Sequence, residues 1–387
     1  MDERRLKVAY LCETDPVHAW AHSGGNQRLF RTIDKHLGDT TYIEYHWGFF
    51  QWAKVLIDKL PLKISMRLRF RVHLLLSRFV SRRTASELRK GNYDVVFCTY
   101  SFYCLANLRL PHPSLLVFSS DATYTVYKNS EIGAAFGSYL SLSRKFDSYI
   151  YKLEKRVYQN VDLALWPSAW LKNNADKLYG LSNSHSYMLP WGANVEDPGQ
   201  PVFPEAADIS EQVNLLFVGR DWFHKGGPLV IEVLNLLLER EQDAHLTIVG
   251  CNPPELLNHE NVTIHPYLDK AAPEQLAIFQ RLFSRSHFFV MPSYESYGFA
   301  FCEASAYGLP ILCIDVGGVP VEQGVNGFRL PIDAGSESFV DKVLYYKNNI
   351  DAYLKLRQTS REYYKDFLNW DAWGSRMRAL VLERLKG

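Results

Sequence analysis

The sequence predicts an α/β protein made of two Rossmann-like, doubly wound parallel-sheet domains facing across a cleft. Three observations carry this. The chain has 387 residues, more than one ordinary core accommodates. Short apolar runs rich in β-branched residues alternate with helical patterns along its whole length. One proline-rich, acidic break interrupts that alternation near the middle.

The elements follow in order. Lys7–Cys12 reads as the first strand, and Ser23-Gly24-Gly25-Asn26 as a glycine-rich loop opening a helix through about His36. Thr41–His46 is a second strand. Asp94–Cys98, Ser114–Phe118 and Asp162–Trp166 are compact apolar runs suited to strands buried on both faces. The break, Asn194–Gln212, holds Pro198, Pro201 and Pro204 with five acidic residues. Strands then resume at Asn214–Val218, His245–Val249, Val262–His265, His287–Met291 and Ile311–Asp315. Each is followed by Gly, Pro or polar residues and a helical pattern. The tail Asn369–Leu385 is helical and carries Trp370 and Trp373. The expected division is 1–195, 196–366 and a terminal helix, 367–387.

Composition excludes several classes. A net charge of +1 creates no global field that demands nucleic acid, and no recognition motif for one appears. Cys12, Cys98, Cys104, Cys251, Cys302 and Cys313 have no C-x-x-C spacing, and several sit in apolar runs. Buried reduced thiols, a reducing compartment and no metal site are expected. MDERRLKVAYLCETDP has charges before a short apolar run, which is a first strand and not a signal peptide. No stretch reaches the roughly 18 apolar residues that span a bilayer. A cytoplasmic protein is expected. A nicotinamide dehydrogenase is not, because no G-x-G-x-x-G follows the first strand.

The segment PSYESYGFAFCEASAYGLP is the most telling. It follows an apolar strand and places Glu295 on a loop and Glu303 eight positions on, in an Ala-rich helix ending near Gly308-Leu309-Pro310. The helix start at Gly298, Phe299 and Ala300 offers free backbone N–H groups that suit a phosphate. Carboxylates accept hydrogen bonds from paired hydroxyls. A ligand with hydroxyls at both ends and phosphate between them is a nucleotide-sugar. The spacing, with PS before and EA-x-A-x-G-x-P after, resembles the signature of the retaining glycosyltransferases of family 4, which have the GT-B fold. The resemblance implies that Glu295 holds hydroxyls of the donor sugar and Glu303 the ribose. It is strong over 205–330 and weak over 5–195, where it rests on strand order, the glycine pair and the stretch from LWPSAW to LPWGAN.

In LLFVGRDWFHKGG a strand delivers Arg220 and Lys225 beside a Gly226-Gly227 turn and a new helix. Two cations there can neutralise a diphosphate, and the resemblance implies that role for both. Gly24 and Gly25 match the family's loop after strand one, which closes over the donor phosphates; His22 and Asn26 flank it and are candidates to reach substrate. The sequence departs from the family in two places. Val321 follows Pro320 where many relatives have glutamate. Ser119-Ser120-Asp121 follows the strand where many have a histidine beside the sugar. Asp121, the ionisable group there, is a candidate sugar or acceptor contact and equally a candidate helix cap.

Between Lys54 and Lys90, eleven Lys or Arg stand against Asp58 and Glu87, interleaved with Leu, Ile and Phe, and Pro61 divides the segment into two helices. Such a segment suits an anionic membrane surface. Solvated amphipathic helices or a polyanionic glycan acceptor would use the same charges. Reversal of Arg67, Arg69 and Arg71 to Glu tests the membrane reading.

The implied function is a retaining, metal-independent transfer of a monosaccharide from a nucleoside-diphosphate sugar, of UDP or GDP type, to a hydroxyl of a glycan, glycolipid or small molecule. No cofactor is implied; the nucleotide-sugar is a co-substrate. No Asp-x-Asp metal anchor is found. The competing reading is a catalytically silent homologue that binds nucleotide-sugar or scaffolds partners, which the missing histidine favours.

Overall fold

The computed structural model describes residues 5–18, 21–45, 47–60, 62–136, 144–199, 206–256 and 258–386, with side chains except at 21–22, 62–67, 144–145 and 206–208. Two compact units are present. One comprises Met1–Asn129, Tyr139–Pro190 and Trp373–Gly387, the other Ser130–Ser138 and Trp191–Ala372.

The first unit contains β1 (Leu6–Cys12), α1 (Gly25–His36), β2 (Gly38–Glu44), α2 (Gln51–Asp58), α3 (Leu62–Gly91), β3 (Val95–Thr99), β4 (Leu115–Ser119) and α4 (Tyr124–Lys128). The short α5 (Glu131–Ala135) falls in the second unit. The first unit resumes with α6 (Arg144–Asn160), β5 (Leu163–Trp166), α7 (Ala169–Tyr179) and β6 (Ser186–Met188). Its strands form one parallel sheet in the order β2-β1-β3-β4-β5-β6. Val95–Thr99 is buried throughout, as a strand covered on both faces must be. Helices α2 and α3 end and begin on either side of Pro61, as expected.

The second unit contains α8 (Ala206–Glu211), β7 (Val213–Val218), α9 (Gly227–Glu239), β8 (Ala244–Val249), β9 (Val262–His265), α10 (Pro273–Arg285), β10 (Phe288–Val290), α11 (Phe299–Ala306), β11 (Ile311–Ile314), β12 (Gly327–Leu330), α12 (Ser336–Lys347) and α13 (Ile350–Asp366). Its sheet is also parallel, in the order β12-β11-β10-β7-β8-β9. The final helix, α14 (Trp370–Lys386), is grouped from Trp373 onward with the first unit. There Trp373 is fully buried, 6.2 Å from the Phe97 ring. Two parallel six-stranded sheets bear out the doubly wound class expected from the sequence.

Each sheet has one switch point. In the second, the chain runs outward from β7 through β8 to β9, then returns to β10 on the other side of β7. Connections on the two sides leave to opposite faces, which opens a crevice at the carboxyl ends of β7 and β10. In the first sheet the equivalent point lies between β1 and β3.

Candidate functional site

The β7–β10 switch point gathers the motif residues. Gly219, Arg220 and Lys225 follow β7; Pro292 to Glu295 follow β10; Glu303 lies on α11. Lys225 Nζ donates a short hydrogen bond to Glu295 Oε1. Both side chains are largely covered, at 26% and 17% exposure, so the pair is partly shielded from solvent screening. Lys270 Nζ donates to Glu303 Oε1 at 2.8 Å, and the same ammonium sits 4.1 Å from the Phe279 ring centroid. Glu303 is buried. Arg220 is exposed and forms no ion pair among the described residues.

Backbone chemistry explains the glycines. Gly226 (φ +81°) caps α9, and a Cβ there would strike the Pro292 carbonyl. Gly298 (φ +90°) caps α11 in a conformation that favours glycine. The N–H groups of Phe299 and Ala300 precede the intrahelical ladder, so they are donors at the positive end of the helix dipole.

Packing fixes α11 at both ends. At its start, Trp191 stacks on Phe299 (5.8 Å, 7° between planes) and its carbonyl accepts from Tyr297 Oη at 2.7 Å. At its end, two buried arginines of α13 reach the last carbonyls. Arg357 donates to the Tyr307 carbonyl at 3.3 Å, and Arg361 to that of Ala306 at 2.9 Å. Cations belong at this negative end of the dipole.

The loop between Arg220 and Lys225 is also built. Trp222 is buried and leaves no room for a side chain at Gly227. Asp221 accepts from the His224 backbone N–H at 3.0 Å and pairs with its ring at 2.7 Å. The backbone bond, first among the causes, holds this carboxyl below its ordinary range. On the other side the His224 ring stacks on Phe136 (4.8 Å, 7°). Ile132 of α5 packs against Gly317, where any side chain would also meet the Glu295 carbonyl.

In the first unit, Gly24 (φ +89°) is the N-cap of α1 and Gly25 is its buried first residue. Asn26 is fully buried and committed: its Oδ1 accepts from Tyr10 Oη at 2.6 Å and its Nδ2 donates to the Thr14 carbonyl at 2.9 Å. It ties α1 to β1 and is not aimed at substrate, a correction to the sequence reading. The side chain of His22, its fellow candidate, lies outside the described residues. Asp121 is half-buried in the turn before α4. It does not cap that helix; Thr123 does, its Oγ1 accepting from Val126 N at 3.2 Å. After burial, the Asp121 charge is the next cause that raises the Tyr100 phenol. At the same sheet edge Glu13 pairs with Arg69 at 2.6 Å and accepts a short bond from Tyr103.

Sequence reasoning missed Lys270, Arg357, Arg361 and the Phe136–His224 stack. A lysine in the loop before α10 and arginines four apart on a helix carry no signal that separates them from solvated charge.

The fold and the motif residues thus define an α/β domain with a carboxylate–lysine pair and a helix N-terminus near its switch point, the place where open parallel sheets bind ligands. Residues 212–349 match the family model for glycosyl transferases group 1, which bears out the resemblance drawn from the glutamate motif. The chain is 26% identical over 181 residues to the D-inositol 3-phosphate glycosyltransferase of Corynebacterium efficiens. That alignment takes in 43% of this chain and 42% of the relative, so the chain spans less than half the length of the curated protein it matches. Similarity to solved structures runs through the whole chain. Sucrose-phosphate synthase from Thermosynechococcus elongatus superposes with a TM-score of 0.68 at 18% identity, covering 98% of this chain and 99% of that one. HepE of Anabaena, solved with UDP-glucose, gives 0.60 at 14% identity, covering 98% and 100%. These likenesses establish the fold.

Proposed function

We propose that the protein is a retaining, metal-independent glycosyltransferase that moves a monosaccharide from a nucleoside-diphosphate sugar to an acceptor hydroxyl. One observation carries this: Lys225 and Glu295 pair across the loops after β7 and β10, Glu295 lies on the loop that leads into α11, and α11 carries Glu303, which Lys270 holds. Two polyol-binding carboxylates flanking a cationic centre suit a sugar, a diphosphate and a ribose in series.

In this reading Glu303 holds the ribose and Glu295 the donor sugar. Arg220, Lys225 and the N–H groups of Phe299 and Ala300 meet charge growing on the departing diphosphate. Lys225 lies within reach of both roles because its ammonium already touches Glu295. A leaving diphosphate requires positive charge, which these groups supply without a divalent ion. Gly24 and Gly25 would cover the donor phosphates, and Asp121 would meet sugar or acceptor. The donor is of UDP or GDP type; the acceptor is a glycan, glycolipid or small molecule. The enzyme works in the cytoplasm, with residues 54–90 against the inner membrane face.

The test is release of nucleoside diphosphate from a panel of nucleotide-sugars, after a thermal-shift screen has picked the base. Turnover should survive excess EDTA, and the product should keep the donor's anomeric configuration. Donor binding without release of diphosphate, even slow release to water, would leave the silent homologue standing instead.

A further inference from the structure

Helix α2 buries none of its residues fully, although it is mostly apolar. Ile57, with Phe50 just ahead of the helix, packs on the first unit's core. The opposite face is bare. Phe49, Trp52, Val55 and Leu56 recur at helical spacing and are 79%, 58%, 50% and 54% exposed. A solvent-facing helix normally shows polar residues there.

The long helix α3 presents a matching stripe. Leu75, Arg78, Phe79, Arg82 and Arg83 are all exposed and fall on one helical face. No acidic residue interrupts this run. The two surfaces are continuous. Gly48, which opens the turn into α2, lies against the Phe79 ring and near the Arg83 guanidinium. Phe50 meets Phe79 edge-on at 6.1 Å.

We infer that this α2–α3 surface docks on an anionic lipid bilayer, with Phe49, Trp52 and Leu56 entering the headgroup boundary and Arg78, Arg82 and Arg83 meeting lipid phosphates. Charge chooses the occupant. A row of arginines beside bare aromatic and aliphatic side chains matches an interface that is negative outside and apolar beneath. The structure also corrects which cations matter. Arg69 is engaged by Glu13 at 2.6 Å and Asp58 at 3.3 Å, and the Arg67 side chain lies outside the described residues. The exposed arginines lie further along α3. This inference rests on the membrane placement proposed above and is independent of the transferase chemistry.

Flotation of the full chain with vesicles tests it. Binding is expected to phosphatidylcholine mixed with phosphatidylglycerol, weakening with salt, and not to phosphatidylcholine alone. Arg78→Glu, Arg82→Glu and Arg83→Glu together should cut partitioning at least about tenfold. Phe49→Ser with Trp52→Ser should also weaken it. All five positions are exposed, so circular dichroism and nucleotide binding should be unchanged. Three results overturn the inference: no binding to anionic vesicles; loss with the arginines but not with Phe49 and Trp52, which marks a site for a polyanion such as heparin; or conversion of an oligomer to a monomer by the serine changes, which marks a surface for a second copy.

Discussion

Lys225 and Arg220 differ in how the structure holds them, and so should their variants. Lys225 is tied to Glu295 beneath the switch point, whereas Arg220 stands exposed. If both stabilise the departing diphosphate, each loss should remove about 2.7–4 kcal/mol of transition-state stabilisation. Steady-state kinetics on Lys225→Ala and Arg220→Ala should then show kcat down about 10²–10³-fold. Lys225→Ala should also raise KM, because it frees Glu295, the carboxylate proposed to grip the sugar. Near-native rates for both would dismiss the assignment. Gly317 is a backbone counterpart. It sits at φ +64° with the Glu295 carbonyl against its α-carbon. Gly317→Ala must strain that turn or displace the Glu295 loop. A stability loss of at least about 1 kcal/mol by urea unfolding, with reduced activity, is expected.

At the scale of elements, α11 depends on what holds its two ends. Arg361 supplies a carbonyl of its last turn and also pairs with Asp197 and the Gly199 carbonyl. Arg361→Ala leaves that buried carbonyl unmatched, and a cost of about 2–3 kcal/mol should appear in urea unfolding. In the first unit, Glu154 does similar work for α4. Its carboxylate accepts from the N–H groups of Tyr124 (2.7 Å) and Thr125 (3.2 Å) and from Tyr179 Oη (3.0 Å). Burial outweighs these donors and raises the carboxyl from 4.5 to about 7. The folded state therefore keeps a proton that the unfolded chain releases. The stability linked to that proton is complete below pH 4.5 and is lost as pH rises through about 7. The size is about 3 kcal/mol. Glu154→Gln should flatten that slope in unfolding measured across the window.

Elements also show what the sequence could reveal. Nine strands were legible because each is a run rich in apolar or β-branched residues, whereas β2, read as Thr41–His46, runs from Gly38 to Glu44 because its Gly-Asp opening carries no strand signal. β6 and β12 were not: Ser-Tyr-Met is three residues long, and Gly-Phe-Arg-Leu opens on glycine and carries a charge. α8 hides inside a stretch whose prolines and acids read as linker. At the site, Glu295 and Glu303 were legible because the flanking string is distinctive. Lys270 was not, since only folding brings it to Glu303 across 33 positions. Thr123 took the capping role open to Asp121 because it stands next to the first helical residue.

The whole molecule divides its labour between units that fold around separate sheets, which gives a measurable consequence. α14 supplies Trp373 to the first unit beside Phe97, Gly374 leaves room only for His36 there, and Arg378 donates to the His36 carbonyl. Arg220, Lys225, Glu295 and Glu303, the residues proposed to hold the donor, belong to the second unit. Two perturbations should therefore act on different unfolding transitions. Removing residues 373–387 strips an apolar cover from the first sheet, where a buried Trp alone contributes about 3–5 kcal/mol on truncation, and should lower the transition of that unit. A nucleoside diphosphate at about a hundred times its Kd should raise the other by about 2.7 kcal/mol. Calorimetry of the full and shortened chains, each with and without nucleotide, distinguishes the cases. If the nucleotide shift is the same in both chains, the donor site is complete within the second unit. If shortening abolishes it, the first unit contributes directly to donor binding, and the roles given to Gly24 and Gly25 gain weight over those of Lys270 and Glu303.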